Sequence, residues 1–216
     1  KFENVVIGLS VVGMIYASCL AMVQNDLKRL VAYSSIAHIG LMCAAIFTTN
    51  ETGLQGVMIQ MLNHGINIIG LWIVVDIIEK HTGKRKLSEL GGLAQHTPLL
   101  AIFFVIIALA NIALPLTNAF IGEFAMFSGL YQFNAWYAAF AGISIILAAV
   151  YTLNMVQKVF FGQDNIQTKV VSLVTSKQKI VLTVIVLFIF VLGVYPKPVF
   201  DLTKETVTTV LASFKK

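Results

Sequence analysis

The few residues of this sequence that are suited to moving a proton lie inside apolar stretches. Glu123 stands eight residues after Pro115, in an apolar run, and a carboxyl group at membrane depth is costly enough to mark a candidate functional site. His38 and His64 also lie in apolar runs. A neutral imidazole donates a hydrogen bond at one ring nitrogen and accepts one at the other, which suits a relay. These residue types together predict proton exchange, with Glu123 as the central group.

Amide side chains accompany the second histidine. Gln60, His64 and Asn67 recur at i, i+4 and i+7, which places them on one face of a helix, and Asn63 borders that face. Lipid cannot satisfy such a polar stripe, so it must face other helices or water. The alternative is that these side chains only join helices by hydrogen bonds, at about 0.6 kcal/mol per contact.

The sequence gives weaker indications of a functional role for two further polar residues. Lys28 precedes an apolar run, where it is either an interfacial charge or a candidate relay group. Asn118 follows Pro115 by three residues and is placed to line the site or to satisfy backbone groups freed by a helix break. No clustered cysteines, CxxCH, GxGxxG or P-loop motif occurs, so we expect no metal site and no cofactor in this chain. Haem ligation by the two histidines would leave Glu123 unexplained.

The composition indicates an integral membrane protein. The sequence is 58% hydrophobic and 12% charged, whereas soluble domains are about 25% charged. Apolar runs predict six membrane crossings, at about 5–23, 30–47, 57–75, 98–131, 136–156 and 180–195. The fourth run would span about 45–50 Å as a straight helix, against a hydrocarbon core of about 30 Å. We therefore expect a break at Pro115, which cannot donate to the preceding turn.

The positive charges predict the orientation in the membrane. The loops after the first, third and fifth runs contain ten Lys and Arg residues, and the other side has five. By the positive-inside rule, the ten-charge side faces the cytoplasm or its organellar equivalent, so both ends of the chain face outward. We expect a bacterial inner membrane or an organellar counterpart. The charges also fit membrane orientation better than nucleic-acid binding, which we do not expect.

Three smaller features complete the predicted architecture. Gly13, Ala17 and Ala21 form a small-residue stripe on which another helix could pack. Apolar residues near the end of the chain recur with helical spacing from Val207 to Phe214 and predict an amphipathic helix on the membrane surface. The first run lacks the basic leader of a signal peptide, and we expect the chain to be part of a longer protein.

Three segments resemble the antiporter-like subunits of respiratory complex I. Residues 26–40, DLKRLVAYSSIAHIG, match the D-x-KR-xx-AYSS-xx-H-x-G signature of that family. Residues 59–65, IQMLNHG, resemble its next helix, and residues 114–124, LPLTNAFIGEF, are similar to its discontinuous twelfth helix. The resemblance covers essentially the whole chain.

The resemblance implies a fold, a function and partners. The fold is an all-α membrane bundle of about six transmembrane helices with one proline-broken helix, equivalent to the second inverted repeat of an antiporter-like subunit. Residues 1–162 would form the five-helix repeat, and residues 163–216 the linker, the last transmembrane helix and the amphipathic segment. Glutamate on the broken helix is typical of the chain M, or subunit 4, type. Glu123 would then be the terminal proton site, with His38 and His64 on the central polar axis.

The implied activity is proton translocation within an NADH:quinone oxidoreductase, driven by redox chemistry in other subunits. Its partners would be the other membrane-arm subunits, the lipid bilayer, protons and internal water. The acidic and basic residues of the family's first repeat have no counterpart here, so this chain alone should not pump. Two alternatives stay open, a subunit of a multi-subunit Na⁺/H⁺ antiporter or membrane-bound hydrogenase, and a structural membrane anchor.

Overall fold

The computed structural model describes residues 2–163 and 174–214, most of which are helical. The helices are α1 (Phe2–Val23), α2 (Leu27–Ile46), α3 (Glu51–Thr82), α4 (Leu93–His96), α5 (Pro98–Asn111), α6 (Asn118–Phe133), α7 (Ala135–Phe160), α8 (Ser176–Val194) and α9 (Lys197–Phe214). Five of them, α1, α2, α3, α7 and α8, are long and apolar enough to cross a membrane. The fourth predicted crossing, at about 98–131, is divided between α5 and α6.

The predicted break at Pro115 is confirmed. Residues 112–117 separate α5 from α6, and Ala113 and Leu116 adopt positive φ angles of 56° and 74°. Such angles cost a non-glycine residue about 1–3 kcal/mol. The segment satisfies part of its own backbone, since the Thr117 hydroxyl donates to the Leu114 carbonyl at 2.6 Å. This arrangement is how irregular backbone survives at membrane depth.

The broken segment is also held from outside by α8. Gly193 packs against the backbone of residues 116 and 117, and a Cβ added there would lie 2.3 Å from the Leu116 carbonyl oxygen. A glycine is therefore required at this position for the close approach. The last transmembrane helix thus packs directly on the break, and it also contacts α3 and α5.

Helices α3 and α6 approach each other closely, and this contact positions the polar residues. A Cβ added at Gly56 of α3 would lie 2.7 Å from the Met126 nitrogen and 3.0 Å from the Gly122 carbonyl oxygen. With no side chain between the two backbones, the polar face of α3 lies against the first turns of α6.

The small-residue stripe predicted on α1 is wrong in one position. Ala17 and Ala21 are buried, but Gly13 is exposed and has no atom within 4 Å of an added Cβ. The close approach between α1 and α2 occurs at Gly40, where an added Cβ would lie 2.9 Å from the Met14 Cβ. The spacing of small residues correctly indicated that α1 packs against another helix. Which face of α1 is buried is set by its packing on α2 and α7.

The loops after α1 and α3 meet at one end of the bundle, as the alternation of basic loops predicted. Asp26 caps α2 by accepting from the backbone of Lys28 and forms an ion pair with Arg85 at 2.8 Å. The backbone nitrogen of Leu27 donates to the Arg85 carbonyl at 2.9 Å. We call the end of the bundle where these two loops meet the basic end. Lys169, which was assigned to the same side, lies outside the described residues.

The C-terminal segment forms the predicted helix, α9, which packs against α3. Val207 is buried on this helix, whereas Leu202 is exposed. The location of α9 on the membrane surface and the boundary between residues 162 and 163 stay predictions.

Candidate functional site

Glu123 is buried in the second turn of α6, just after the break. Among the described residues it is the only Asp, Glu, Lys or Arg that is buried, at 6% exposure. An uncompensated charge in such a place would cost several kcal/mol, so the surrounding groups decide what Glu123 can do.

Two side chains from other helices contact the same oxygen of Glu123. His38, near the middle of α2, places its Nδ1 atom 3.0 Å from Glu123 Oε1. Gln60 of α3 donates from Nε2 to this oxygen at 3.4 Å. The carboxyl group is therefore within proton-transfer distance of one imidazole and is further held by an amide.

The two histidines that the sequence singled out are adjacent. The ring centroids of His38 and His64 are 5.2 Å apart. A neutral His38 that donates from Nδ1 to Glu123 presents Nε2 as an acceptor, and this buried atom has no hydrogen-bond partner among the described residues. Glu123, His38 and His64 thus form a continuous row of ionisable groups, which we call the Glu–His row.

His64 is the outer member of the Glu–His row. It is only partly buried and lines a groove between α2 and α3 whose other walls are apolar, including Ile39, Met42 and Met61. The row therefore runs from a buried carboxyl group to a histidine at the side of the bundle.

The polar face of α3 is rotated from the predicted one. Gln60, Asn63 and Asn67 are all buried, so Asn63 belongs to the inner face and His64 lies at its edge. Both polar side-chain atoms of Asn67, and the side-chain oxygens of Gln60 and Asn63, lack a partner within the described part of the chain. Buried amides of this kind are satisfied in proteins by internal water.

Asn63 and Asn118 connect α3 to the start of α6. Asn63 donates from Nδ2 to the Asn118 carbonyl at 2.7 Å, and Asn118 donates from its own Nδ2 to the Asn63 carbonyl at 3.4 Å. The Asn118 side-chain oxygen accepts from the Ala119 nitrogen at 2.9 Å. The pair fixes the register of the polar face of α3 against the turn that carries Glu123.

Replacing Asn63 with alanine should lower the free energy of unfolding of the full-length protein by about 1–2 kcal/mol, because the buried Asn118 carbonyl loses its donor. Unfolding in a detergent titration measures this. Gln55→Ala on the same helix is the control, since the Gln55 side chain bonds to Glu51 within α3. If Asn63→Ala and Gln55→Ala lowered the free energy of unfolding equally, the Asn63 contact would not contribute the expected stability.

Lys28 lies at the basic end and forms an ion pair with Glu79 of α3. Its Nζ atom also lies 6.0 Å from the centre of the Trp72 ring. These contacts join Lys28 to α3, and no described contact joins it to Glu123.

The sequence did not single out two buried hydroxyl groups near the site. Tyr151 of α7 donates from its hydroxyl to Ser34 Oγ at 3.1 Å, and Asn111, the last residue of α5, donates to the same oxygen at 3.1 Å. Ser34 precedes His38 by one helical turn, and this i, i+4 spacing is the one signal that could have found it.

The chain matches a known protein family over most of its length. The family model described as NADH:quinone oxidoreductase/Mrp antiporter, transmembrane, matches residues 1–150. The chain belongs to this family. NADH-quinone oxidoreductase subunit M of Rhodobacter capsulatus is 36% identical to it over 207 residues, which cover 95% of this chain and 40% of the relative. The chain thus spans about two-fifths of the length of that relative.

Solved structures of the family confirm the predicted antiporter-like fold. A chain of respiratory complex I from Thermus thermophilus superposes with a TM-score of 0.86 at 26% identity, covering 95% of this chain and 44% of that one. A chain of the Mrp complex from Dietzia sp. DQ12-45-1b also gives a TM-score of 0.86, at 16% identity, over 98% of this chain and 48% of that one, and shows the shared fold alone. The protein is therefore a multi-pass membrane protein of this family.

Proposed function

We propose that this chain carries the terminal proton-exchange site of a proton-translocating subunit of an NADH:quinone oxidoreductase. The observation that carries the proposal is the contact between the buried Glu123 carboxyl and His38 at 3.0 Å. A purely structural carboxyl group would gain most from fixed amide and backbone donors. The Glu123 oxygen instead contacts an imidazole ring, a group that can donate a hydrogen bond at one nitrogen and accept one at the other.

In the proposed mechanism, Glu123 takes a proton that passes along the Glu–His row and internal water, and releases it outward when its charged neighbours rearrange. Moving one charge against 100 mV costs about 2.3 kcal/mol, so the site must switch between access states and cannot be an open pore. The positive-φ backbone of residues 112–117 is suited to such a switch, because strained segments persist only where the surroundings hold them.

The redox chemistry and the cofactors that drive the switch would belong to other subunits, and this chain would act with the remaining membrane-arm subunits. The basic end would face the cytoplasm or its equivalent, with both termini on the outer side, in a bacterial inner membrane or an organellar counterpart. The R. capsulatus relative is named NADH-quinone oxidoreductase subunit M, which supports the assignment of this chain to the chain M type.

Isolation of the full-length protein from its native membrane, followed by an assay of NADH:quinone reduction, tests the proposal. We expect rotenone- or piericidin-sensitive activity to remain with the protein through a gentle purification. Partners without NADH:quinone activity would contradict the proposal.

A second candidate function is that of an Mrp-type Na⁺/H⁺ antiporter subunit. It is favoured by the scope of the family model, which includes Mrp antiporters. The same purification distinguishes the two candidate functions, because an antiporter would show cation-dependent proton exchange without quinone reduction.

A further inference from the structure

A small cavity adjoins Glu123 between α2, α6 and α7. It has a volume of about 20 Å³, and a space of about 10–15 Å³ on this measure holds one water molecule. Four of its walls are polar side chains, which are His38, Glu123, Ser144 and Tyr151. A water needs two to four such partners, so the cavity has the size and the chemistry for a single bound water.

The hydrogen bonds of Tyr151 determine what it can offer that water. Tyr151 is almost fully buried, at 1% exposure, and its hydroxyl proton is directed to Ser34 Oγ at 3.1 Å. The amide of Asn111 donates to the same Ser34 oxygen at 3.1 Å. With its proton committed, the phenol oxygen can only accept further hydrogen bonds.

Ser144 cannot orient the water in the same way. Its hydroxyl donates to the Ala141 carbonyl within α7 at 2.7 Å, a bond that any buried helical serine can make. The Tyr151 hydroxyl is instead bonded to Ser34 of another helix, and Ser34 is held in turn by Asn111 of a third helix, so Tyr151 is the more rigid acceptor in the cavity wall.

We propose that Tyr151 is a positioning residue for Glu123, acting through one water. The water donates one hydrogen to the phenol oxygen and turns its other hydrogen, or its oxygen, to the Glu123 carboxyl group as that group loses or gains its proton. This inference rests on the proposed function of Glu123. It adds a water-mediated connection to the carboxyl group, beside the direct contacts with His38 and Gln60.

The same network reaches the helix break. Asn111 is the last residue of α5 and directly precedes residues 112–117. Its amide, Ser34 and Tyr151 form one chain of hydrogen bonds across α5, α2 and α7. A movement of the break relative to α2 would therefore change the orientation of the Tyr151 hydroxyl and of the water beside Glu123.

Tyr151→Phe in the full-length subunit, within the intact complex, tests the proposal because it removes the hydroxyl and keeps the ring. Infrared difference spectra identify the carbonyl stretch of protonated Glu123 as the band that Glu123→Gln abolishes. We expect Tyr151→Phe to shift this band to higher frequency through the lost hydrogen bond. We expect NADH-driven proton uptake per assembled complex to slow about three- to tenfold.

Tyr137→Phe is the matched control, since Tyr137 lies on the same helix and its hydroxyl donates to the Asn4 carbonyl at 3.3 Å, away from the cavity. It should leave the band and the uptake unchanged. Ser34→Ala, which keeps the phenol but removes the acceptor of its proton, should also shift the Glu123 band, whereas Ser34→Thr, which keeps a hydroxyl there, should leave the band in place. If Tyr151→Phe does not assemble, the serine pair supplies the same measurement.

The inference is overturned if the Glu123 band and proton uptake in Tyr151→Phe match the wild type while Glu123→Gln abolishes uptake. Normal uptake in Glu123→Gln would instead overturn the proposed function and this inference with it. The two failures are thus distinguished in one set of membranes.

Discussion

Glu123→Gln in the full-length protein is expected to reduce NADH-driven proton translocation at least about tenfold, since general acid–base groups contribute about 10²- to 10⁴-fold to proton transfers. The amide nearly matches the carboxyl group in size, and it can still bond to Gln60 and His38. It cannot bind and release a proton. Assembly should therefore be retained while the transfer is lost. Quenching of a pH-sensitive dye in sealed membrane vesicles measures the effect.

Glu51→Gln is the matched control for this substitution. Glu51 is exposed at the start of α3 and accepts a hydrogen bond from Gln55 of the same helix. Its loss should leave proton translocation unchanged. Wild-type translocation in Glu123→Gln would contradict the role of the carboxyl group, and failure of assembly in that variant would favour a structural anchor.

Gly56→Ala should separate α3 from α6 and thereby weaken both stability and proton transfer. The added Cβ would meet the backbone of α6 at Met126 and Gly122, and backbone atoms cannot move aside as a side-chain end can. Overpacking of this kind costs about 1–3 kcal/mol. Because Gln60 lies one turn further along α3, we expect its 3.4 Å contact with Glu123 to be lost as well.

Gly65→Ala, on the same helix, gives the comparison for this prediction. An added Cβ at Gly65 meets no atom within 4 Å, and alanine favours a helix interior by about 0.5–1 kcal/mol over glycine. It should therefore be neutral or slightly stabilising. Detergent unfolding and vesicle proton uptake of both variants check the pair, and equal behaviour would show that the close approach at Gly56 has no role.

The break and the central carboxyl group could be predicted because their causes are local. Pro115 lacks the donor that a continuous helix needs, and its run is too long for one crossing. Glu123 needs a compensating environment wherever it is buried. The three residues of the Glu–His row were found for the same reason, since each is an ionisable group in an apolar segment.

Helix rotation could not be predicted from periodicity alone. Neither the exposure of Gly13 nor the inward position of Asn63 follows from the spacing of polar or small residues, because neighbouring helices set the rotation of each helix. Ser34 and Tyr151 were missed because hydroxyl groups in apolar runs commonly bond to their own helix. Only the packing of α5, α2 and α7 brings them together.

The central claim is that Glu123 and His38 act as one proton site, and a double-mutant cycle on proton uptake tests it most directly. Glu123→Asp shortens the side chain by one methylene and should break the 3.0 Å contact with His38, while His38→Ala removes the imidazole. Each single variant should slow NADH-driven proton uptake. Residues that act as a unit have non-additive effects, so the double variant should be no slower than the slower single variant. A double variant whose loss is the product of the two single losses would contradict the account.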